Sequence, residues 1–369
     1  LDSAALTAIR EKNLRVFAEF ASCSDTLPQV RVVDKERVVA ADSLSPSLPS
    51  MALMSVNKAA YLVEDVPSPL LVLAKVAGLD RAEYGLDGTD TAALLYRVSD
   101  NLMLSATCLG DFGRLRYMPE RRMKALWEFI MSDLTGTDVL FRSWPSAVRP
   151  SYGESCRLPR NAARKAVERG AAWYLNSGFL VDSTWRQEYV LDRKGNVQGR
   201  GLPEGLPAGD GSLGIMEGHC SAINNDGVQE CRYWMRADVQ GESAMALAVA
   251  GDMLGIGSYM DIASNLIDYA FEAFRSGPRS DPSNPGFGLL GWGMNHEGRY
   301  YGDDNARCLL GMCMAASLLG TDRWNDMIVE SILANFRTTG RWGFRTTDLL
   351  QKDQPIFALA AANVPRYVL

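Results

Sequence analysis

Two stretches of this chain carry one pattern at an interval of 62 residues, and that repeat limits what the second half can fold into. In the first copy, Glu242-Ser243-Ala244-Met245-Ala246-Leu247 opens an apolar helix that runs to about Leu254. Gly255 and Gly257 break it, and Tyr259, Ile262, Ala263, Leu266, Ala270 and Phe274 mark a second, amphipathic helix. In the second copy, Asp304-Asn305-Ala306-Arg307-Cys308-Leu309 opens a helix to about Leu319. Gly320 breaks it, and Trp324, Met327, Ile328, Ser331 and Ile332 mark its partner. Aligned on these starts, Glu242 matches Asp304, Ala244 matches Ala306 and Leu247 matches Leu309. The first helix of each pair is apolar nearly all round and must be enclosed, while the second shows a polar face to solvent. Alternating enclosed and surface helices build an inner ring within an outer ring, so a closed α/α toroid is expected ahead of a simple bundle.

Composition narrows the partners. A length of 369 residues suggests two or three domains, and 47% apolar with 22% charged residues excludes disorder. The net charge of −6 supplies no basic excess for nucleic acid or an anionic membrane surface, so no nucleic-acid partner is expected. No stretch approaches the ~18 apolar residues of a membrane span. The chain begins at Leu1, which suggests a removed leader or an excerpt of a longer protein. Seven cysteines are scattered without CxxC spacing, so neither a zinc site nor a disulfide-built fold is indicated, and no metal or cofactor is expected. A secreted or periplasmic setting is slightly favoured over the cytoplasm, and the oligomeric state is left open.

The first half reads as an α/β unit. Strand-like runs occur at Leu14–Phe20, Leu70–Val76 and Leu102–Ala106, and the nearly continuous apolar middle run suits a strand covered on both faces of a largely parallel sheet. After Pro119, apolar residues at Met123, Leu126, Trp127, Ile130, Met131 and Leu134 predict a helix that Gly136 stops. The acidic stretch Gly85–Thr91 reads as a loop. This element order, with its ending LSATCLGDFGRLRYMPERRMKALWEFI, resembles the flavodoxin-type fold of class I glutamine amidotransferases over residues 10–136. The resemblance implies an α/β domain over 1–136. Amidotransferase chemistry needs a thiolate at a strand-to-helix elbow and a histidine to deprotonate it. Cys23 and Cys108 lie here but no histidine does, so this domain is expected to be catalytically inactive. Residues 137–159, rich in proline and glycine, read as a linker.

Beyond it, Asn161–Asn176 predicts a helix ended by Gly178, and Lys194–Gly214 holds seven glycines in an irregular excursion. The stretches CRYWMRADVQGESAMALAVAGDMLG and HEGRYYGDDNARCLLGMCMAASLLG resemble the six-hairpin (α/α) toroids of carbohydrate-active enzymes. The resemblance implies a multidomain protein whose residues 160–369 form an α/α toroid. A full ring has twelve helices and about six are counted, the last beginning near Lys352, so the ring is expected to be incomplete in this sequence.

Carboxylates cluster at the start of both enclosed helices: Asp238 and Glu242, then Asp303 and Asp304. Trp234 and Arg236, then Trp292, Tyr301 and Arg307, crowd the same ends. A glycosidase needs one protonated and one ionised carboxyl group about the glycosidic oxygen, with flat aromatic faces for sugar rings. Asp304, Glu242 and Asp303 are therefore the catalytic candidates. Trp234, Arg236, Asp238, Glu217, His219, Trp292, His296, Tyr301 and Arg307 are the substrate-binding ones. Asp at a helix N-terminus also caps free N–H groups, and this competes as an explanation for each acid. His219 and His296 are the only histidines, and no HExxH-like spacing places them on a metal. The expectation is a glycoside hydrolase acting on a plant or microbial glycan. The alternatives are a non-catalytic glycan-binding or scaffold protein on the same toroid, or a sugar epimerase or lyase.

Overall fold

The computed structural model describes all residues except 25, 55–58, 111–119, 145–151, 153–154, 193–197, 224–228, 297 and 350–369. The chain divides into two compact units. The first comprises Leu1–Glu154 with Ser221–Glu230, and the second Ser155–Cys220 with Cys231–Leu369. The excursion of Ser221–Glu230 is absent from the domain bounds expected from sequence.

In the first unit, α1 (Ser3–Glu11) starts at Asp2, whose carboxylate accepts from Ala5 N at 2.8 Å. A six-stranded sheet follows, built from β1 (Val16–Glu19), β3 (Arg37–Ala40), β4 (Leu53–Met54), β6 (Leu71–Ala74), β7 (Thr91–Ser99) and β8 (Leu102–Ser105). Its order is β1-β8-β7-β6-β3-β4, while β2 (Val30–Val32) and β5 (Ala60–Leu62) form a separate antiparallel pair. Helix α2 (Glu120–Thr135) buries Met123, Leu126 and Ile130, and Gly136 at φ +70° ends it. The expected Pro119 start lies outside the described residues.

The parallel, flavodoxin-type order expected for this sheet is corrected. Only β1 and β8 pair in parallel, and β6 runs antiparallel to both β3 and β7. The apolar run of β6 is fully buried, as read, but burial on both faces reports coverage and carries no information on strand direction.

The second unit is mainly helical. Helix α3 (Ala162–Asn176) opens it, and a small sheet is ordered β10-β11-β9, from β9 (Gln198–Arg200), β10 (Gly218–Ile223) and β11 (Gln229–Arg232), of which residues 221–223 and 229–230 count with the first unit. Two hairpins follow: α4 (Ala237–Leu254) with α5 (Gly257–Phe274), and α6 (Gly302–Leu319) with α7 (Asn325–Thr338). Gly255 and Gly320, both left-handed, cap the first helix of each pair. The further helix expected near Lys352 lies outside the described residues.

The repeat is real but its register is corrected. Helices α4 and α6 are each 18 residues long and start 65 residues apart, and their terminal glycines keep the same offset. Glu242 therefore matches Arg307, not Asp304. The 62-residue alignment opened α4 at Glu242, whereas the helix begins five residues earlier, at Ala237. Helices α4 and α6 cross at near backbone contact. A Cβ on Gly241 would stand 2.4 Å from the Cys308 carbonyl oxygen, and one on Gly311 would stand 2.3 Å from that of Gly241. Cys308 Sγ donates to the Ala237 carbonyl at 3.0 Å, and burial pushes its thiol pKa far up. This crossing brings the first turns of the two helices together.

Candidate active site

Arg236 is the residue around which the site assembles. It caps α4 in an extended conformation and forms an isolated antiparallel bridge with Gly293. Ala237 N donates to the Trp292 carbonyl at 3.3 Å, and Met294 N to the Met235 carbonyl at 3.2 Å, so the loop before α6 is strapped to the start of α4. Gly293 is required there, because a Cβ would lie 2.4 Å from the Trp234 ring.

Nη2 of Arg236 donates to Asp238 Oδ2 at 2.7 Å and to Asp304 Oδ1 at 2.9 Å. Nη2 of Arg307 donates to the same two oxygens, at 2.8 Å for Asp238. Two carboxylates and two guanidinium groups thus close a ring of charge-assisted bonds. The acids are 2% and 3% exposed, while the Arg307 side chain remains 43% exposed over them. Glu217 extends the network, 3.5 Å from Arg236 Nη1 and accepting from Arg232 Nη1 at 2.7 Å.

The N-cap positions are Arg236 and Tyr301, and neither makes a side-chain capping bond. Asp238 and Asp304 stand inside the first turns, where the helix dipole favours them, and spend their bonds on arginine. They are not caps.

Burial is the largest influence on Asp238. With the nearby Asp304 charge it outweighs Arg236 and Arg307 and pushes the carboxyl up to about 6. Burial works against the charge on Arg236, but Asp238, Asp304 and Glu217 together more than offset it and hold its pKa above the ordinary range.

A ring cluster stands beside this network. Trp292 lies 5.0 Å from Trp234, 4.9 Å from His296 and 5.0 Å from Tyr301, with the Arg236 guanidinium 5.9 Å from its ring centre. Five buried polar atoms within the site have no hydrogen-bond partner among the described residues: Asp238 Oδ1, Glu217 Oε2, Arg236 Nε, Trp234 Nε1 and His296 Nδ1. Orphans of this kind are rare in folded proteins, and these five belong to residues that the bonds and ring contacts above link together.

Of the sequence candidates, Glu217, Trp234, Arg236, Asp238, Trp292, His296, Tyr301, Asp304 and Arg307 come together. Asp303 sits at the edge, 75% exposed and 3.8 Å from Arg307. His219 does not join them. It is exposed and packs on Phe179 and Trp173, with ring centres 4.8 and 6.2 Å away. Glu242 is half-buried one turn along α4, near enough to support the charge on Arg307 but outside the four-residue ring. Sequence reasoning passed over Arg232. Charge balance was the available signal, since five candidate carboxylates stood against only two named arginines.

Among the described residues no group of histidine, cysteine and acidic side chains could hold a metal ion. No helix there is long and apolar enough to cross a membrane. Comparison with known proteins returns nothing: no protein family matches this chain, and neither a curated protein nor a solved structure does.

Proposed function

We propose that the second unit belongs to an α/α toroid of the carbohydrate-active kind and cleaves glycosidic bonds in a plant or microbial glycan. The grouping of five orphaned polar atoms with the rings of Trp292, His296 and Tyr301 carries this reading. Two of the atoms are donors and three are acceptors or can act as such. Sugar hydroxyls donate and accept alike, so one hydroxyl-rich ligand satisfies both kinds, while Trp292 and Tyr301 offer apolar faces to its ring. Asp238, raised towards neutrality, supplies the general acid, and Asp304, held by two guanidinium groups, is its partner. Their accepting oxygens share single nitrogens, which keeps them closer than the roughly 6.5–9.5 Å that an inverting pair leaves for its water. Arg307, the exposed member, must swing aside for a sugar to reach either acid.

The test is hydrolysis of a panel of plant and microbial glycans, with product configuration followed by NMR. Cleavage supports the reading. Saturable glycan binding without cleavage favours instead the non-catalytic binder, for which the neutralisation of both carboxylates by arginine already speaks. The first unit, which has no histidine, is read as a non-catalytic companion.

A further inference from the structure

An apolar groove of about 500 Å3, an ordinary size for a small-molecule site, runs along α6 and α7, lined by Ala306, Leu310, Cys313, Ile332 and Phe336. Leu310 is 70% and Phe336 75% exposed, and Cys313 is exposed as well. Arg345 lines the same groove and is only 8% exposed. Its Nη1 donates to Thr338 Oγ1 at 3.0 Å, its Nη2 to Asn335 Oδ1 at 3.0 Å and its Nε to the Tyr300 carbonyl at 3.4 Å. All three acceptors are neutral. No carboxylate pairs with Arg345 among the described residues, and burial pushes its pKa down. A buried cation without a counter-charge is costly.

The chemistry of a fitting counter-charge follows from the donors that Arg345 has left. A guanidinium carries five N–H groups, and the three bonds use one on each nitrogen. One N–H remains on each terminal nitrogen, a pair that the two oxygens of a carboxylate can accept together. A single negative charge balances the guanidinium, whereas a phosphate dianion would bury a second charge without a partner. The remainder of the lining calls for hydrocarbon, since an alkyl chain would take the exposed surfaces of Leu310 and Phe336 out of water. We propose that this groove binds a free amphipathic monocarboxylate of the medium-chain fatty acid class, its carboxylate on Arg345 and its aliphatic body along Leu310, Cys313 and Phe336. The groove shares no residue with the Asp238–Asp304 ring, and the inference does not rest on the glycan reading.

Cys313 reports on the groove, and the exposed Cys156 serves as the control. Peptide-resolved alkylation of the full chain is followed while octanoate or 1-octanol is added. Octanoate should slow Cys313 saturably, roughly tenfold or more at saturation, and leave Cys156 unchanged. Octanol has the same chain and no charge, so it should need a concentration about tenfold or more higher, the factor that a charge-assisted bond carries. Arg345→Gln should erase this preference. Arg345 also braces its own loop, so Leu310→Glu, at an exposed position, provides a second variant whose negative charge should weaken octanoate more than octanol. Circular dichroism confirms which variants are folded. Absence of protection at Cys313, equal potency of octanoate and octanol, or an unchanged preference in either folded variant would overturn the proposal. So would a Cys313 that reacts about tenfold or more slower than Cys156 before any addition, because the protein itself would then cover the groove.

Discussion

Gln240 and Asn305 hold the same position in α4 and α6 and make the same three hydrogen bonds. Each accepts from and donates to the backbone of one loop residue, Ile215 for Gln240 and Leu290 for Asn305, at 2.8–3.0 Å. Each also donates to the carbonyl four residues before it, Arg236 or Tyr301. Ile215 lies two residues before Glu217, and Leu290 two before Trp292. One device, used twice, hangs both site-bearing loops from the inner helices.

Replacing either amide by leucine leaves a buried N–H and C=O of the loop without partners. Gln240→Leu and Asn305→Leu should each destabilise the second unit by about 2–4 kcal/mol, at roughly 1–3 kcal/mol per orphaned group. Urea denaturation measures this. A loss below about 0.5 kcal/mol would show that the loops are held by other contacts.

The crossing of α4 and α6 makes a sharper demand. Gly241→Ala or Gly311→Ala places a methyl group against backbone that cannot turn away, since the nearest atoms belong to the opposite helix. The expected cost is about 3 kcal/mol or more, the upper end for overpacking. A thermal melt unchanged from the parent protein would mean that the helices separate at little cost.

Much of this fold was legible because periodicity reports burial. Three strands, α2 and both hairpins fall where their apolar patterns place them. The nine-residue β7 was missed: its run Ala92-Ala93-Leu94-Leu95-Tyr96 is covered on both faces and lacks the alternation that marks a half-buried strand. Strand direction escaped for the same reason at β6. The site was legible as a set of residue types but not as a pairing. Aligning the repeat on acids gave 62 residues, whereas the amides Gln240 and Asn305 and the capping glycines give 65. Charge position drifts between repeats, but a buried amide and a left-handed glycine are fixed by backbone geometry.

The first unit should release no ammonia from glutamine. Cys23 is the more instructive of its two early candidates: burial raises its thiol pKa, with Glu64 adding to the effect against the chain's amino terminus. A thiol held protonated is a poor nucleophile. Alkylation of Cys23 at neutral pH should therefore be slower than that of the exposed Cys156. Ammonia release from glutamine by the full chain, lost in Cys23→Ser, would overturn this reading.

Asp238 gives the protein a pH signature with a defined sign. Its native pKa of about 6 stands above the ordinary ~3.9 of an unfolded aspartate. Between those values the native state holds a proton that the unfolded chain has released, so stability falls as pH rises from about 4 to about 6 and then levels. The contribution is on the order of 2–3 kcal/mol. Urea melts at about pH 4.5, 5.5 and 6.5 should show this decline, and Asp238→Asn should flatten it. An equal slope in the variant would assign the titration to another group.

The decisive comparison for catalysis sets Asp238 against Glu242. The acid-based alignment pairs Glu242 with Asp304, but the structure joins Asp238 to Asp304 through two shared guanidinium groups and leaves Glu242 one turn away. On a glycan that the protein cleaves, Asp238→Asn and Asp304→Asn should each lower kcat by at least about 100-fold, as loss of a general acid or base does. Glu242→Gln should stay within a few-fold, because its charge acts on Arg307 and not on the sugar. Leaving-group dependence separates the two aspartates. A substrate with a good leaving group needs no proton from the acid to depart, so it should restore the bond-breaking step, read as a burst of released leaving group, in Asp238→Asn but not in Asp304→Asn. Rescue of Asp304→Asn instead would exchange their roles. Full activity in both, with Glu242→Gln inactive, would return the catalytic pair to the one that the acid alignment gives.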